Sequence, residues 1–444
     1  MLFNTYEFIF IFLIPVVLIY KFIPNNFKIE FLIAASILFY GQWNLTHLFI
    51  LCFSIIFNYF FFAKALINNY FYKKTILVLG VFSNLSLLAY FKYSGFLNLT
   101  NENIVLPLAI SFFTFQQIAY LVDIYRKKIQ VESFQRYSFF ILFFPQLIAG
   151  PIMHYKEILS QIDLKKHINI PNAYLKAGLI LFSIGLFKKV VIADSLTVYL
   201  NSNNLDSWME LFAYSFMIYF DFSGYADMAI GLALMFGIKL KINFFSPYKS
   251  KNLIEFWRKW HITLSSFLKD HLYIPLGGNK HGFIIQMYSL MVTMVLGGIW
   301  HGAGWNFLLW GFIHGTGLVF LHLIYYFFKK EQILPKPLGV FFTFIFVSLL
   351  WVFFRMDFDN SITFFLSLLN FNFSNTNLTD ISTLLIIFCF IIVWFLPNSM
   401  QLINLEKDNF GIKKWYVFIS ALCMFISLKF MAFTPSLSFV YFNF

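Results

Sequence analysis

The chain has 444 residues, of which 60% are hydrophobic and only 12% are charged. Soluble domains carry about 25% charged residues, so this composition excludes an ordinary soluble enzyme and indicates an integral membrane protein. The formal net charge is +12. In membrane proteins, basic residues are concentrated in loops on the cytoplasmic side.

Apolar runs recur along the whole chain, with no long polar segment between them. Because a helix needs about 20 apolar residues to cross a bilayer, we predict an all-α protein with about eleven to thirteen spanning or re-entrant helices. Lys21 and Lys28 follow the first run and favour a retained span with its N-terminal side outside. The candidate runs are 8–23, 29–41, 45–66, 75–91, 104–122, 138–153, 173–193, 209–237, 283–299, 303–328, 338–354, 381–397 and 412–430.

Neither the cysteines nor the histidines form a pattern that binds metal. Cys52, Cys389 and Cys423 lie in apolar runs and form no CxxC pair, so we expect neither a disulfide framework nor a zinc site. No HExxH or similar ligand spacing is present either, and we predict no metal.

Two stretches place polar or helix-breaking residues inside apolar runs. In "FFPQLIAGPIMHY", Pro145 and Pro151 each break a helix, and the freed backbone groups are tolerated at membrane depth only beside a cavity or under protein. In "YFDFSGYADMAIGLALMFG", Asp221 and Asp227 lie on different faces of an ideal helix. Each aspartate could pair with a basic side chain, bind a helix end or bind a substrate group.

The region 239–280 carries eight basic residues against Glu255 and Asp270. This charge has two readings: cytoplasmic topology with anionic lipid contact, or a mouth that attracts a polyanionic substrate. Within it, "NLIEFWRKWHITLSSFLKDHLYIPLGG" mixes aromatic and basic residues, which predicts a helix in the interface or dipping partway into the membrane. Pro275 should end that helix, and Gly277 and Gly278 should permit a sharp turn.

The stretch "LGGIWHGAGWNFLLWG" places His301 between two tryptophans and among four glycines. The imidazole could be a packing residue with a hydrogen bond, or a general base or acid, because histidine titrates near neutral pH. His261 lies beside basic and aromatic residues, which favours a position in the membrane interface. His271, His281, His314 and His322 we interpret as structural.

Taken together and in this order, five stretches resemble the membrane-bound O-acyltransferase family, in the bacterial branch that acts in alginate O-acetylation, peptidoglycan O-acetylation and teichoic-acid D-alanylation. They are "LPLAISFFTFQQIAYLVDIYR", "FFPQLIAGPIMHY", "YFDFSGYADMAIGLALMFGIKLKINFFSPY", "FWRKWHITLSSFLKDHLYIPLGG" and "GGIWHGAGWNFLLWGFIHG". The resemblance implies a single polytopic domain that forms a ring of helices around a central tunnel. It divides the chain into N-terminal helices (1–100), a tunnel core (104–328) and C-terminal helices with a tail (338–444).

The resemblance also implies roles for particular residues. His301 matches the family's characteristic tunnel histidine, and His261 matches the second histidine of this branch. The donor would be cytosolic acetyl-CoA, used as a substrate with no further cofactor. Residues expected at the tunnel or substrate are Trp300, Trp305, Asn306, Asp221, Asp227 and Gln146, and residues expected at the donor phosphates are Arg258, Lys259, Lys249 and Lys251.

The sequence closes with "SFVYFNF". Tyr441 could be an interface-belt tyrosine. The ending is similar, however, to an aromatic-Tyr-Phe ending of this branch, which in the D-alanylation system belongs to a separate small membrane peptide. That resemblance predicts an acyl relay on Tyr441, which would need a base such as His301 because the phenol pKa is about 10.

The predicted function is transfer of an acetyl group from acetyl-CoA to a cell-wall polysaccharide, with peptidoglycan favoured as acceptor. It would take place in the bacterial inner membrane, with a periplasmic or extracellular SGNH-type transferase as partner. Alginate or other exopolysaccharide O-acetylation and teichoic-acid D-alanyl transfer are alternatives. From another class, a polysaccharide or lipid-intermediate transporter suits the many spans and broken helices, and a non-catalytic scaffold is a third reading.

Overall fold

The computed structural model describes residues 1–68, 71–99, 105–162, 171–201, 205–329, 334–370, 379–404, 410, 412–434 and 437–440. Within these ranges the regular structure is helical and contains no strand. The predicted all-α membrane class is therefore confirmed.

Six helices of the described chain are long and apolar enough to cross a membrane. Their exposed side chains are largely apolar; on the last of them, Phe418, Phe425 and Phe433 are all exposed. Such surfaces suit lipid rather than water. Several of the other predicted runs form shorter or interrupted helices. The six spans are Leu45–Ile67, Lys73–Tyr93, Phe283–His301, Trp305–Phe328, Lys336–Arg355 and Lys414–Phe433.

The chain folds into two compact units that do not follow chain order. Unit 1 comprises Met1–Leu186, Tyr225–Lys241 and Lys407–Ser438, and unit 2 comprises Phe187–Gly224, Ile242–Glu406 and Phe439–Phe444. The helix Ser207–Met235 contributes residues to both. The three-part division by chain order stays a prediction.

Unit 1 has a core rich in phenylalanine, in which Phe39 packs on Phe144 with ring centroids 5.4 Å apart. The helix before Pro145 ends at Leu142, and Phe143 leaves the helical region with ψ 104°. This confirms the predicted helix break. The α-helices of unit 1 are Ile14–Phe22, Lys28–Gly41, Leu45–Phe57, Lys64–Asn68, Lys73–Tyr93, Ile110–Tyr125, Phe134–Leu142, Phe144–Leu147, Tyr155–Leu159, Asn172–Phe187 (whose last residue belongs to unit 2) and Lys414–Phe433, with π-helical turns at Glu7–Leu13 and Asn58–Ala63 and a 3-10 turn at Asn25–Phe27.

Unit 2 is organised around a hairpin of two spans, Phe283–His301 and Trp305–Phe328, and a core of the fully buried Trp260, Trp310 and Trp351. The predicted turn of "IPLGG" is confirmed, because Gly277 and Gly278 both have positive φ. The other α-helices of unit 2 are Asp194–Asn201, Leu253–Trp257, Ile262–Leu268, Lys336–Arg355, Phe358–Leu369, Ile381–Phe395 and Ser399–Ile403, with π-helical turns at Lys188–Ala193 and Lys269–Tyr273 and a 3-10 turn at Pro247–Lys249.

Candidate active site

His301 is the last residue of the helix Phe283–His301, and Gly302 then continues in an extended conformation. Its side chain is buried, with only 4% of the residue exposed. The imidazole packs edge-on against three aromatic rings, with centroids 4.8 Å from Trp300, 5.2 Å from Trp310 and 5.0 Å from Phe354. These rings fix the plane of the imidazole and leave part of it facing a cavity.

That cavity has a volume of about 240 Å³ and is lined mainly by apolar side chains. His301, Trp310 and Gly297 contribute to its wall, and Arg258 and Lys269 are among its few charged residues. An apolar pocket with a few convergent polar groups is the usual form of a small-molecule site. The other lining residues are Ile254, Trp257, Leu264, Ser265, Leu268, Tyr273, Leu290, Thr293, Met294, Leu318 and His322.

A second cavity of about 410 Å³ shares part of this wall. Ile254, Arg258 and His322 line both cavities. The second cavity is also bordered by Lys251 and Glu255, so it is polar where the first is apolar. Unit 2 therefore places a charged pocket next to the apolar cavity of His301.

His261 lies between the short helices Leu253–Trp257 and Ile262–Leu268, in a left-handed backbone conformation with φ 44°. Its Nδ1 is 3.2 Å from Asn243 Oδ1. The same amide oxygen accepts hydrogen bonds from the backbone N–H and the hydroxyl of Thr263, so Nδ1 of His261 is the donor. A neutral imidazole in this tautomer carries its lone pair on Nε2.

His261 is fully buried and lies outside the six spans. Burial lowers the pKa of this imidazole to about 3, so the ring stays neutral near pH 7. Its ring contacts Phe222, with centroids 4.8 Å apart, and approaches Trp300 at 6.5 Å. Trp300 thus touches both histidines, while His261 itself does not line the cavity of His301.

The four predicted donor-binding basic residues divide into two groups. Arg258 and Lys251 line the charged pocket. Lys259 instead forms an ion pair with Glu255, with Nζ 2.7 Å from Oε1, and Lys249 donates to the backbone carbonyl of Leu396 at 2.7 Å. Both of these amino groups are therefore already engaged within the protein.

The two aspartates of the apolar run lie on one helix, Ser207–Met235, and belong to different units. Asp221 belongs to unit 2, is 1% exposed and binds Lys189, with Oδ1 2.7 Å from Nζ. Asp227 is buried in unit 1. Gln146 also belongs to unit 1, where its amide donates to the carbonyl of Phe140 at 2.5 Å.

Trp305 and Asn306, two other predicted tunnel residues, lie at the start of the helix Trp305–Phe328 and line neither of the two cavities. Trp305 is 67% exposed at the start of its helix. The amide of Asn306 donates to the carbonyl oxygens of Phe353 and Met356 at 2.8 and 3.2 Å, which satisfies backbone groups at the end of the helix Lys336–Arg355. Tyr441 lies outside the described residues.

Two histidines that sequence reasoning set aside belong to this region. His322 lines both cavities, and His314 is fully buried between Trp257 and Trp310, with centroids 5.1 and 4.7 Å away. The signal for them is spacing, because Trp310, His314, Leu318 and His322 follow one another at four-residue intervals and so share a helix face. Among the residues with described positions, no group of three His, Cys, Asp or Glu side chains could hold a metal ion.

Comparison with known proteins agrees with the membrane composition. The model of the MBOAT, membrane-bound O-acyltransferase family matches residues 29–358. The chain is 42% identical to the peptidoglycan O-acetyltransferase of Helicobacter pylori over 407 residues, which cover 80% of this chain and 77% of that protein. It is 36% identical to the probable alginate O-acetylase AlgI of Azotobacter vinelandii over 410 residues, 86% of this chain and 80% of the relative.

A more distant relative is the teichoic acid D-alanyltransferase of Bacillus subtilis, 26% identical over 245 residues, which cover 52% of this chain and 61% of the relative. The family match spans about three quarters of the chain and includes both His261 and His301. This multi-pass membrane protein is an acyltransferase, and it belongs to the membrane-bound O-acyltransferase family.

Proposed function

We propose that this chain transfers an acetyl group from cytosolic acetyl-CoA towards peptidoglycan, in the bacterial inner membrane. The acyl group would pass to a periplasmic or extracellular SGNH-type transferase that completes the reaction on the polysaccharide. The peptidoglycan O-acetyltransferase relative, at 42% identity, supports this acceptor over the alginate alternative, whose relatives are 35–37% identical. Membership of an acyltransferase family sets aside the transporter and scaffold readings.

The observation that carries the proposal is the position of His301 on an apolar cavity that adjoins a charged pocket. Coenzyme A is polyanionic at its nucleotide end and carries its acyl group on a long, weakly polar arm. A pocket bordered by Arg258 and Lys251 suits the phosphates, and the apolar cavity with His301 suits the thioester end. Arg258, which lines both cavities, would mark the passage between them.

In the proposed reaction His301 acts as general base. An acceptor hydroxyl oxygen attacks the thioester carbonyl carbon while the imidazole takes the hydroxyl proton. The carbon–sulfur bond then breaks, and the leaving thiolate takes that proton from the imidazolium. Neutral His261 does not donate a proton in this scheme; through its contact with Trp300 it holds that ring against His301.

The attacking hydroxyl can belong to the protein or to a partner. We propose the phenol of Tyr441 as the first acceptor, which makes the O-acetyl tyrosine ester the species handed to the partner transferase. A phenol needs a base near neutral pH because its ordinary pKa is about 10, and His301 supplies that base. Tyr441→Phe keeps the ring and removes the nucleophile, so we expect it to abolish transfer to glycan.

The test uses permeabilised cells that contain the full chain, its partner transferase and the cell wall, supplied with acetyl-CoA labelled in the acetyl group. We expect label to enter peptidoglycan with the natural chain and with His281→Ala, a control in which an exposed histidine outside the cavity is replaced. His301→Ala should reduce incorporation by about 100-fold or more, the scale of losing a general base. Full incorporation by a well-inserted His301→Ala protein contradicts the proposed role.

The acceptor is identified in the same cells. Digestion with a muramidase that tolerates O-acetyl groups should release the label in O-acetylated muropeptides. If the label is found instead in an exopolysaccharide that resists muramidase, the alginate-type alternative is correct and the peptidoglycan assignment is wrong.

A further inference from the structure

The buried cluster around Lys189 in unit 2 contains more acid than an ion pair needs. The Lys189 ammonium lies 2.7 Å from a carboxylate oxygen of Asp194 and 2.7 Å from Oδ1 of Asp221. The Lys189 and Asp221 side chains are almost completely buried, at 3% and 2% exposed. One carboxylate is enough to pair with the ammonium. The second carboxylate adds a desolvation cost unless it makes a further interaction.

The other oxygen of Asp221 binds the last described part of the chain. Oδ2 accepts a hydrogen bond from the backbone N–H of Val440 at 2.9 Å, across 219 positions of sequence. Because the acceptor is a carboxylate, this bond is charge-assisted and stronger than a bond between neutral groups. Lys189 holds Oδ1 and so aims Oδ2 at the backbone of Val440.

The neighbouring side chain fixes the same segment to the active-site region. Phe439 is 1% exposed and packs on Phe222, with ring centroids 5.5 Å apart. Phe222 in turn contacts the ring of His261 at 4.8 Å. We name residues 439–440 the tail anchor. One polar and one apolar contact hold it, and only the ring of Phe222 links Phe439 to His261.

We infer that Asp221 is a positioning residue that fixes the tail anchor beside His261, and that the Lys189–Asp194 pair holds Asp221 in place for this task. The inference deepens the proposed function and rests on it for its purpose, because Tyr441 directly follows the tail anchor. Loss of the Asp221–Val440 hydrogen bond should leave the donor site intact. It should reduce how often the residues that follow Val440 reach the active site.

The first experiment measures release of the tail anchor without measuring activity. In a chain whose native cysteines are replaced by alanine, Val440→Cys retains the backbone N–H and provides a thiol at a half-buried position. We expect Asp221→Leu to raise the rate of maleimide labelling by about tenfold or more, since it removes a hydrogen bond to a charged group. Asp221→Asn keeps an acceptor oxygen and should label close to the parent rate.

Asp194→Asn is the matched control, because it perturbs the same lysine on its other side. It should not raise labelling to the level of Asp221→Leu. Equal labelling of the parent and of Asp221→Leu overturns the inference. This readout is independent of catalysis, so it remains valid even if the His301 test disproves acyl transfer.

The second experiment tests the bond from its other end and does not disturb the buried ion pair. Val440→Pro removes the N–H donor, and Val440→Ala keeps it. We expect Val440→Pro to lower kcat for acyl transfer about tenfold with the KM for the donor unchanged, and Val440→Ala to have little effect. In the double variant with Asp221→Leu, the loss should not exceed that of either single variant, because both remove one interaction. Fully additive losses, or an unchanged kcat in Val440→Pro, contradict the inference.

Discussion

His261 shows how a single backbone conformation shapes the site. A left-handed conformation is uncommon for residues other than glycine, but histidine and asparagine adopt it more readily than most. At φ 44°, His261 immediately precedes the helix Ile262–Leu268, and its side chain faces Asn243. Such a conformation costs of order 1 to 3 kcal/mol, and it persists because the surrounding contacts fix it.

The buried imidazole of His261 predicts a pH-dependent stability. Its folded-state pKa of about 3 lies below the ordinary value of 6.5, so the unfolded chain binds the proton more readily. The contribution of neutral His261 to the free energy of unfolding is therefore fully present above pH 6.5. It falls as the pH drops below that value, by up to about 1.4 kcal/mol per pH unit. His261→Asn keeps a residue that tolerates left-handed φ but cannot titrate.

We expect the thermal midpoint in detergent to fall more for the natural chain than for His261→Asn when the pH is lowered from about 7.5 to about 5. Comparing the two proteins removes the contribution of the other histidines, which both retain. Parallel curves for the two proteins would show that His261 is protonated in the folded state, contrary to the structure.

Single residues were predictable where a polar group stands alone in an apolar run. That criterion identifies His301 and Asp221, because an ionisable side chain at such a position needs a partner or a cavity. It does not distinguish Arg258 from Lys259, which are adjacent in sequence and differ only in that Lys259 has Glu255 four residues before it. Nor does it place His322 on the two cavities, since most of the polar residues that line the charged pocket with His322 come from another segment of the chain.

At the scale of helices, glycine determines how closely the two spans of the hairpin pack. A methyl group on Gly298 would lie 2.4 Å from the carbonyl oxygen of Phe307, and one on Gly311 would lie 2.5 Å from that of Met294. Gly298 and Gly311 therefore serve helix packing, the ordinary use of small residues in membranes. Gly297 differs, since it lines the cavity and its nearest neighbour would be the Leu268 side chain at 3.3 Å.

This difference predicts opposite outcomes for two neighbouring substitutions. Gly298→Ala should destabilise the protein by about 1 to 3 kcal/mol, because backbone rather than a flexible side chain must move. Gly297→Ala should fold normally, narrow the cavity and lower acyl transfer. Thermal stability in detergent, measured beside activity, separates the two effects. A Gly298→Ala protein as stable as the natural chain would show that the hairpin packs less closely than described.

Long helices were easier to predict than interrupted ones. All six spans coincide with predicted apolar runs, because hydropathy over about 20 residues is a strong signal. The segment 252–273, predicted as one helix in or near the interface, forms two short α-helices and a π-helical turn. Hydropathy cannot detect the break at residues 258–261, where His261 has a left-handed backbone and contacts Asn243.

At the scale of the whole molecule, the sequence does not indicate which distant segments fold together. The two units exchange segments along the chain, and the bond between Asp221 and Val440 joins residues 219 positions apart. Neither periodicity nor composition encodes such pairings. Net charge is similarly ambiguous, because the sum of +12 does not reveal which cations line a pocket and which are already paired.

The structure resolves that ambiguity for the basic region and yields a test. Arg258 is exposed and lines both cavities, whereas the adjacent Lys259 is held by Glu255. Under the proposed function, Arg258→Gln should raise the KM for acetyl-CoA by about tenfold, since it removes a charge-assisted contact to phosphate. Lys259→Gln, which loses the same charge one residue away, should change that KM about threefold at most, the scale of a surface ion pair.

The dependence of the KM for acetyl-CoA on salt concentration provides a second test with the same two variants. Raising the ionic strength shortens the range of electrostatic attraction, so the KM of the natural chain should rise with salt, and that rise should be smaller in Arg258→Gln than in Lys259→Gln. If the two variants instead lose affinity equally and retain the same salt dependence, the donor responds to the total charge of the region. The charged pocket would then have no specific role, and positive charge in 239–280 would serve topology and contact with anionic lipid.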